Sequence, residues 1–184
     1  MIIDVIGGSD RDPTLNEVTQ LKAAGGDPII VNGMSNAVGQ MSKRIIEQAG
    51  SHGVITLLRF HGQLALGIAG TAGGREADRS TRLANLLGLR RTGAQQALAA
   101  LRPYFAPYGR VELHGCQVER GAAGRRLIQS LAATLGVPVS TGVRAHHGGV
   151  RKAFEFEGPV RTAYPGGAVR GTSAAGVPGP PPGA

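Results

Sequence analysis

Short apolar runs alternate along the chain with segments whose apolar residues recur every three or four positions, the rhythm of strand and helix in turn. Residues 2–6 form the first apolar run, broken by Gly7-Gly8-Ser9-Asp10. Asp12-Pro13 then supplies a helix cap and a first-turn proline, and Leu15, Val18 and Leu21 share one helical face until Gly25-Gly26 stops it. A second strand is predicted at 28–31, followed by a cap at Ser35-Asn36 and a stripe of Val38, Met41, Ile45 and Ala49 that should end at 50–53. Residues 54–60 are apolar through most of their length, as a central parallel strand covered on both faces would be, and the run leaves on His61-Gly62.

The second half keeps the rhythm. A small antiparallel strand is expected at 64–68, a glycine-rich loop at 70–74, helices over 76–87 and 93–101, and a stop at Pro103. Residues 111–114 read as the fourth main strand and lead into Gly115-Cys116. Gly121-Ala-Ala-Gly124 opens an amphipathic helix with Leu127, Ile128, Leu131, Ala132 and Leu135 inward, and a further strand follows at 137–141. Segments 152–157 and 160–164 flank Gly158-Pro159 as a hairpin. From 166 onward Gly, Ala, Ser and Pro dominate, which predicts a disordered tail or linker at 166–184 after a folded domain at 1–165. Parallel strands need crossovers, so the expected fold is α/β, a mainly parallel central sheet with helices on both faces and a small terminal β-hairpin.

Composition narrows the class. At 184 residues and 41% hydrophobic, one globular domain with a sizeable core is expected. The N-terminal run has no basic segment ahead of it and reads as a strand rather than a signal peptide. No apolar stretch approaches the roughly 20 residues that span a bilayer. A single Cys excludes an internal disulfide and suits a reducing compartment, so the expectation is a cytoplasmic protein, or one exported without a classical signal peptide, with no membrane partner. A formal charge of +8 would suit nucleic acid, but the arginines are scattered and Trp is absent, so a well-solvated basic surface is the reading adopted. The loop at 70–74 matches neither a dinucleotide fingerprint nor a phosphate-binding loop, and no cofactor is expected. His146-His147 lack the spaced partners of a metal site, and no metal is expected.

The chemistry is sought at the carboxyl ends of the strands, where open α/β sheets keep their ligands. Cys116 and His61 both follow apolar strands and both stand beside glycine. A lone cysteine is commonly just a small buried apolar group, but a thiol in reach of an imidazole is an activated nucleophile. Gly62, lacking Cβ, can turn its N–H toward a substrate carbonyl, and with the N–H of Cys116 could form an oxyanion hole. The pair therefore points to acyl transfer, most simply peptide hydrolysis, with Cys116 and His61 catalytic. His114, two residues before Cys116, is an alternative base, but a residue within the strand should face a helix layer and serve core packing, so His61 is preferred. Asp10 and Asp12 at the edge of the first strand, with His114 and His146, are the candidates for substrate binding. Asp4, inside the first strand, must find a partner if it is buried.

An apolar strand ending in His61-Gly62 and another ending in Gly115-Cys116 resemble the caspase, gingipain, legumain and separase group of cysteine peptidases, clan CD, over about residues 2–141. More closely, the run from Val111 through Gly124, followed by 127–139, is similar to a small bacterial caspase-like domain of unknown function found in large surface and adhesin-type proteins. The resemblance implies a caspase-like three-layer sandwich and a Cys116–His61 dyad with Gly62 and Cys116 N–H groups as oxyanion donors. It also implies a protein or peptide substrate. The expected function is a cysteine endopeptidase or self-processing domain. The alternative is a catalytically silent caspase-like interaction module of a larger bacterial assembly.

Overall fold

A computed structural model of the chain describes residues 1–8, 15–32, 37–52, 54–61, 92–114, 121–142, 156 and 159–172. Within them run β1 (Ile2–Gly8), α1 (Leu15–Ala23), β2 (Ile29–Asn32), α2 (Ala37–His52) and β3 (Ile55–His61). Then come α3 (Thr92–Ala99), a 3-10 turn (Arg102–Tyr104), β4 (Phe105–His114), α4 (Gly121–Leu135), β5 (Val139–Gly142), β6 (Val160–Ala163) and β7 (Val169–Thr172). The strands join in one seven-stranded sheet of order β2-β1-β3-β4-β5-β6-β7. Pairing is parallel from β2 through β5 and antiparallel from β5 to β7. The fold is α/β with a mostly parallel sheet.

Two adjacent register rows of that sheet, one on each face, have opposite chemistry, because successive side chains on a strand alternate. On one face Ile3, Leu58, Val111, Val139, Ala163 and Val169 stand in register across six strands. Val38, Met41, Ile45 and Ala49 of α2, Leu98 of α3 and Leu127, Ile128, Leu131, Ala132 and Leu135 of α4 close over this face as one core. Those of α2 and α4 are the stripes read from the helical periodicity, so helix amphipathicity and strand alternation select the same core. On the other face, one residue along, Asp4, Arg59, Glu112, Ser140, Thr162 and Arg170 form a second register row, and this one is polar throughout.

Several boundaries move. β1 continues to Gly8 because Gly7 and Gly8 pair through their backbones with Val31 and Asn32, which needs no apolar side chain. Helix α2 ends at His52, inside the expected 50–53, and carries Gly50 within it, a helical glycine costing only about 1 kcal/mol against alanine. Strand β4 begins at Phe105 rather than 111: Phe105 pairs with Ile55 and Arg110 with Leu57, so the four residues 106–109 of β4 stand against Thr56 alone on β3. The end of α4 stays in place: Leu135 is followed by Gly136, whose φ of +73° is the left-handed conformation glycine adopts freely.

The terminal hairpin needs the largest correction. β6 pairs with β7, on the far side of a turn at 165–167, and the expected partner at 152–157 lies, Phe156 excepted, outside the described residues. The domain boundary expected at 166 therefore falls inside that turn, and the described fold extends through Thr172. The expected strand at 64–68, loop at 70–74 and helix at 76–87 lie outside the described residues, as do 173–184.

Candidate functional site

Parallel pairing of β3 with β4 sets Arg59 opposite Glu112 and His61 opposite His114, so the last residue of each strand is a histidine on the polar face. The two imidazoles stack with ring centroids 5.3 Å apart and planes 16° from parallel. Phe156 continues the stack beyond His114 at 4.4 Å and 2°. All of this happens under cover: His61 is 2% and His114 4% exposed, and the carboxylates Asp4 and Glu112 are each 7%.

Each imidazole is held by a carboxylate, and each carboxylate by an arginine. Asp4 Oδ1 accepts from His61 Nε2 at 2.7 Å and from Arg59 Nε at 2.7 Å, while Asp4 Oδ2 accepts from Arg59 Nη2 at 3.0 Å. One strand over, Glu112 Oε2 accepts from His114 Nε2 at 3.0 Å and Glu112 Oε1 from Arg110 Nε at 3.3 Å. Two arginines thus balance two carboxylates when both imidazoles are neutral. Burial opposes ionisation of both acids, yet hydrogen bonds from His61 and Arg59 to Asp4, and from His114 and Arg110 to Glu112, outweigh it and hold both carboxyls below their ordinary values. His114 moves down as well: burial disfavours its cation more than the Glu112 hydrogen bond favours it, and the neighbouring His61 adds to the shift.

An ionised carboxylate has no proton to give, so in each pair the imidazole is the donor through Nε2–H. A ring that is neutral then carries its lone pair on Nδ1. Among the described residues His114 Nδ1 has no hydrogen-bond partner. A buried imidazole with a fixed tautomer, backed by a carboxylate, is equipped to accept a proton and pass it on.

The sequence predicts that His114 faces a helix layer and serves packing, as a competitor to His61; it is buried against His61 and Phe156, on the face opposite the core of α2, α3 and α4. The distinction between a residue within its strand and one leaving it disappears, since each histidine closes its strand. Asp4 finds the partners its burial demands. Cys116, Gly62, Asp10, Asp12 and His146 lie outside the described residues. Arg59, Arg110 and Glu112 were missed by sequence reasoning. Their signal was the alternation Arg59-x-His61 and Arg110-x-Glu112-x-His114, charged groups at period two in otherwise apolar strands.

Among the described residues no three His, Cys, Asp or Glu converge as a metal-binding group. No helix among them is long and apolar enough to cross a membrane. No protein-family model matches the chain, and neither the curated proteins nor the solved structures contain a match.

Proposed function

We propose that the chain is a cysteine endopeptidase, or self-processing domain, of caspase-like three-layer fold, in which Cys116 is the nucleophile and His61 its base. The observation that carries this reading is the register of β3 and β4: His61 stands beside His114, and Cys116 follows His114 by two residues in the chain. The order β2-β1-β3-β4-β5 supports the layering. The β1 to β2 step runs one way across the sheet and every later parallel step the other, so right-handed crossovers would put α1 on the face opposite α2, α3 and α4.

Hydrolysis would proceed as follows. The Cys116 thiol gives its proton to His61, the sulfur bonds to the substrate carbonyl carbon, and the carbonyl electron pair moves to oxygen, where Gly62 and Cys116 N–H groups are the proposed donors. Collapse of the oxyanion breaks the C–N bond as His61 returns the proton to the leaving amine. Water then gives a proton to His61 and adds to the thioester, and the departing sulfur takes that proton back as the acid is released. Asp10, Asp12, His114 and His146 remain the proposed substrate-binding groups.

A peptidyl or iodoacetamide electrophile should label Cys116 rapidly at neutral pH, and His61→Ala should slow labelling by about 100-fold, within the usual range for losing a general base. Equally slow labelling of both proteins would sink the reading. Cleavage of a peptide library that survives Cys116→Ser would do the same.

A further inference from the structure

Resting on the peptidase reading, we infer that Asp4, braced by Arg59, is a positioning residue that fixes His61 as its Nε2–H tautomer and so makes Nδ1 the nitrogen that receives the thiol proton. The proposed mechanism needs only a thiol and an imidazole, and nothing in it calls for a buried acid on β1. The geometry supplies one.

Three features carry the inference. Asp4 reaches His61 at 2.7 Å through an oxygen that also accepts from Arg59, so it cannot swing away without breaking two hydrogen bonds. Arg59 grips both carboxylate oxygens, a fork that orients the acid as well as neutralising it. The stacked His114 ring restricts rotation of the His61 plane from the β4 side. Among the described residues the charged and titratable groups facing His61 are Asp4 from β1, Arg59 from its own strand, and His114 with Glu112 and Arg110 behind it from β4. Asp4 pairs directly with the His61 ring through an ionised oxygen, and a proton gained at Nδ1 would be balanced through the ring by that carboxylate. A carboxylate that holds a catalytic imidazole in one tautomer works through geometry, and replacing it by its amide is damaging because the amide can also donate and so admit the wrong tautomer.

The test has two arms on the full chain. Long-range proton–nitrogen correlation on histidine-labelled protein reads the tautomer of His61, which should be Nε2–H in the wild type and mixed in Asp4→Asn. Iodoacetamide alkylation of Cys116, in which the S–C bond forms as iodide leaves, reads the base as a function of pH. Asp4→Asn should slow alkylation at pH 7 by about tenfold or more, and the rise in rate with pH should move toward that of a free thiol, near ~8.5. A wild-type His61 that is Nδ1–H, or an Asp4→Asn profile superimposable on the wild type, would overturn the inference. The wild-type tautomer needs no substitution, so the inference stays exposed to refutation even if Asp4→Asn fails to fold. Slow alkylation of the wild type and His61→Ala alike, with the Nε2–H tautomer present and lost in Asp4→Asn, would uphold the tautomer assignment while overturning the peptidase reading and the proton transfer that rests on it.

Discussion

Burying a carboxylate beside a histidine is costly unless every oxygen is used, and here Asp4 and Glu112 each spend theirs on one arginine and one imidazole. The cost reappears as a dependence on pH. His114 has a folded pKa below its ordinary 6.5, so below that value the unfolded chain takes up a proton that the native state refuses. Its contribution to stability is therefore full above 6.5 and is lost as pH falls from there toward the folded value. The acids, lowered from 3.8 and 4.5, contribute fully above those values and lose their share only in more acidic solution. Urea midpoints measured against pH should thus fall in two separate ranges. His114→Phe, which keeps a ring in the stack but cannot bind a proton, should flatten the decline just below 6.5; because it also removes the hydrogen bond that holds Glu112 down, it should shrink the Glu112 share of the acidic decline and leave that of Asp4. An unchanged slope below 6.5 would refute the assignment. The charged residues were visible in the sequence as polar positions within apolar strands. Their partnership was not, because Asp4 meets Arg59 and His61 only through strand register, and register is a property of the assembled sheet.

Elements whose apolar positions agree with a single period were legible: the stripes of α2 and α4 and the buried runs of β1, β2 and β3 stand where the spacing predicts. β4 was half read, since Pro107 and Gly109 look like breakers while the structure uses them within a bulged excursion of the same strand. Gly109 is needed there for space. A Cβ on it would lie 2.9 Å from the Ala106 carbonyl oxygen and 3.0 Å from both the Ile55 carbonyl oxygen and the Phe105 ring. Two of those atoms are backbone and cannot turn aside, so Gly109→Ala should cost about 1–3 kcal/mol, the usual range for forced overpacking. A denaturant midpoint unchanged by that substitution would show that the β4 excursion is not held against β3. β7 stands where a tail is expected, for a different reason. The glycine and alanine content after Tyr164 suggested a tail, whereas Pro165-Gly166-Gly167 has the chemistry of a tight turn joining two short strands, with Gly167 at φ +87°.

At the scale of the molecule the sheet has two parts, a parallel body that carries the histidine pair and an antiparallel margin that closes one edge. The margin is joined to the body by more than β6. Val169 packs on the common core, Gln129 of α4 donates to the Gly167 carbonyl at 3.0 Å, and the guanidinium of Arg170 lies 5.8 Å from the Tyr164 ring centroid. Ser140 and Thr162, hydrogen-bonded at 2.8 Å, extend the polar row of the candidate site to β6, so the margin and the site share one face. Removing β7 would bare the β6 edge and withdraw a core contact. Two truncations separate this from any effect of the residues beyond it: a chain ended after Thr172 and one ended after Pro165 differ only in the turn and β7. The shorter chain should be less stable by on the order of 2 kcal/mol, comparable to burying one aliphatic side chain, and should aggregate more readily through its exposed strand edge. Because β6 reaches the histidine pair through β5 and β4, its imidazole resonances should shift less than those of the strands beside β7. Equal melting temperatures for the two truncations would place β7 outside the cooperative fold and restore the domain boundary near 166.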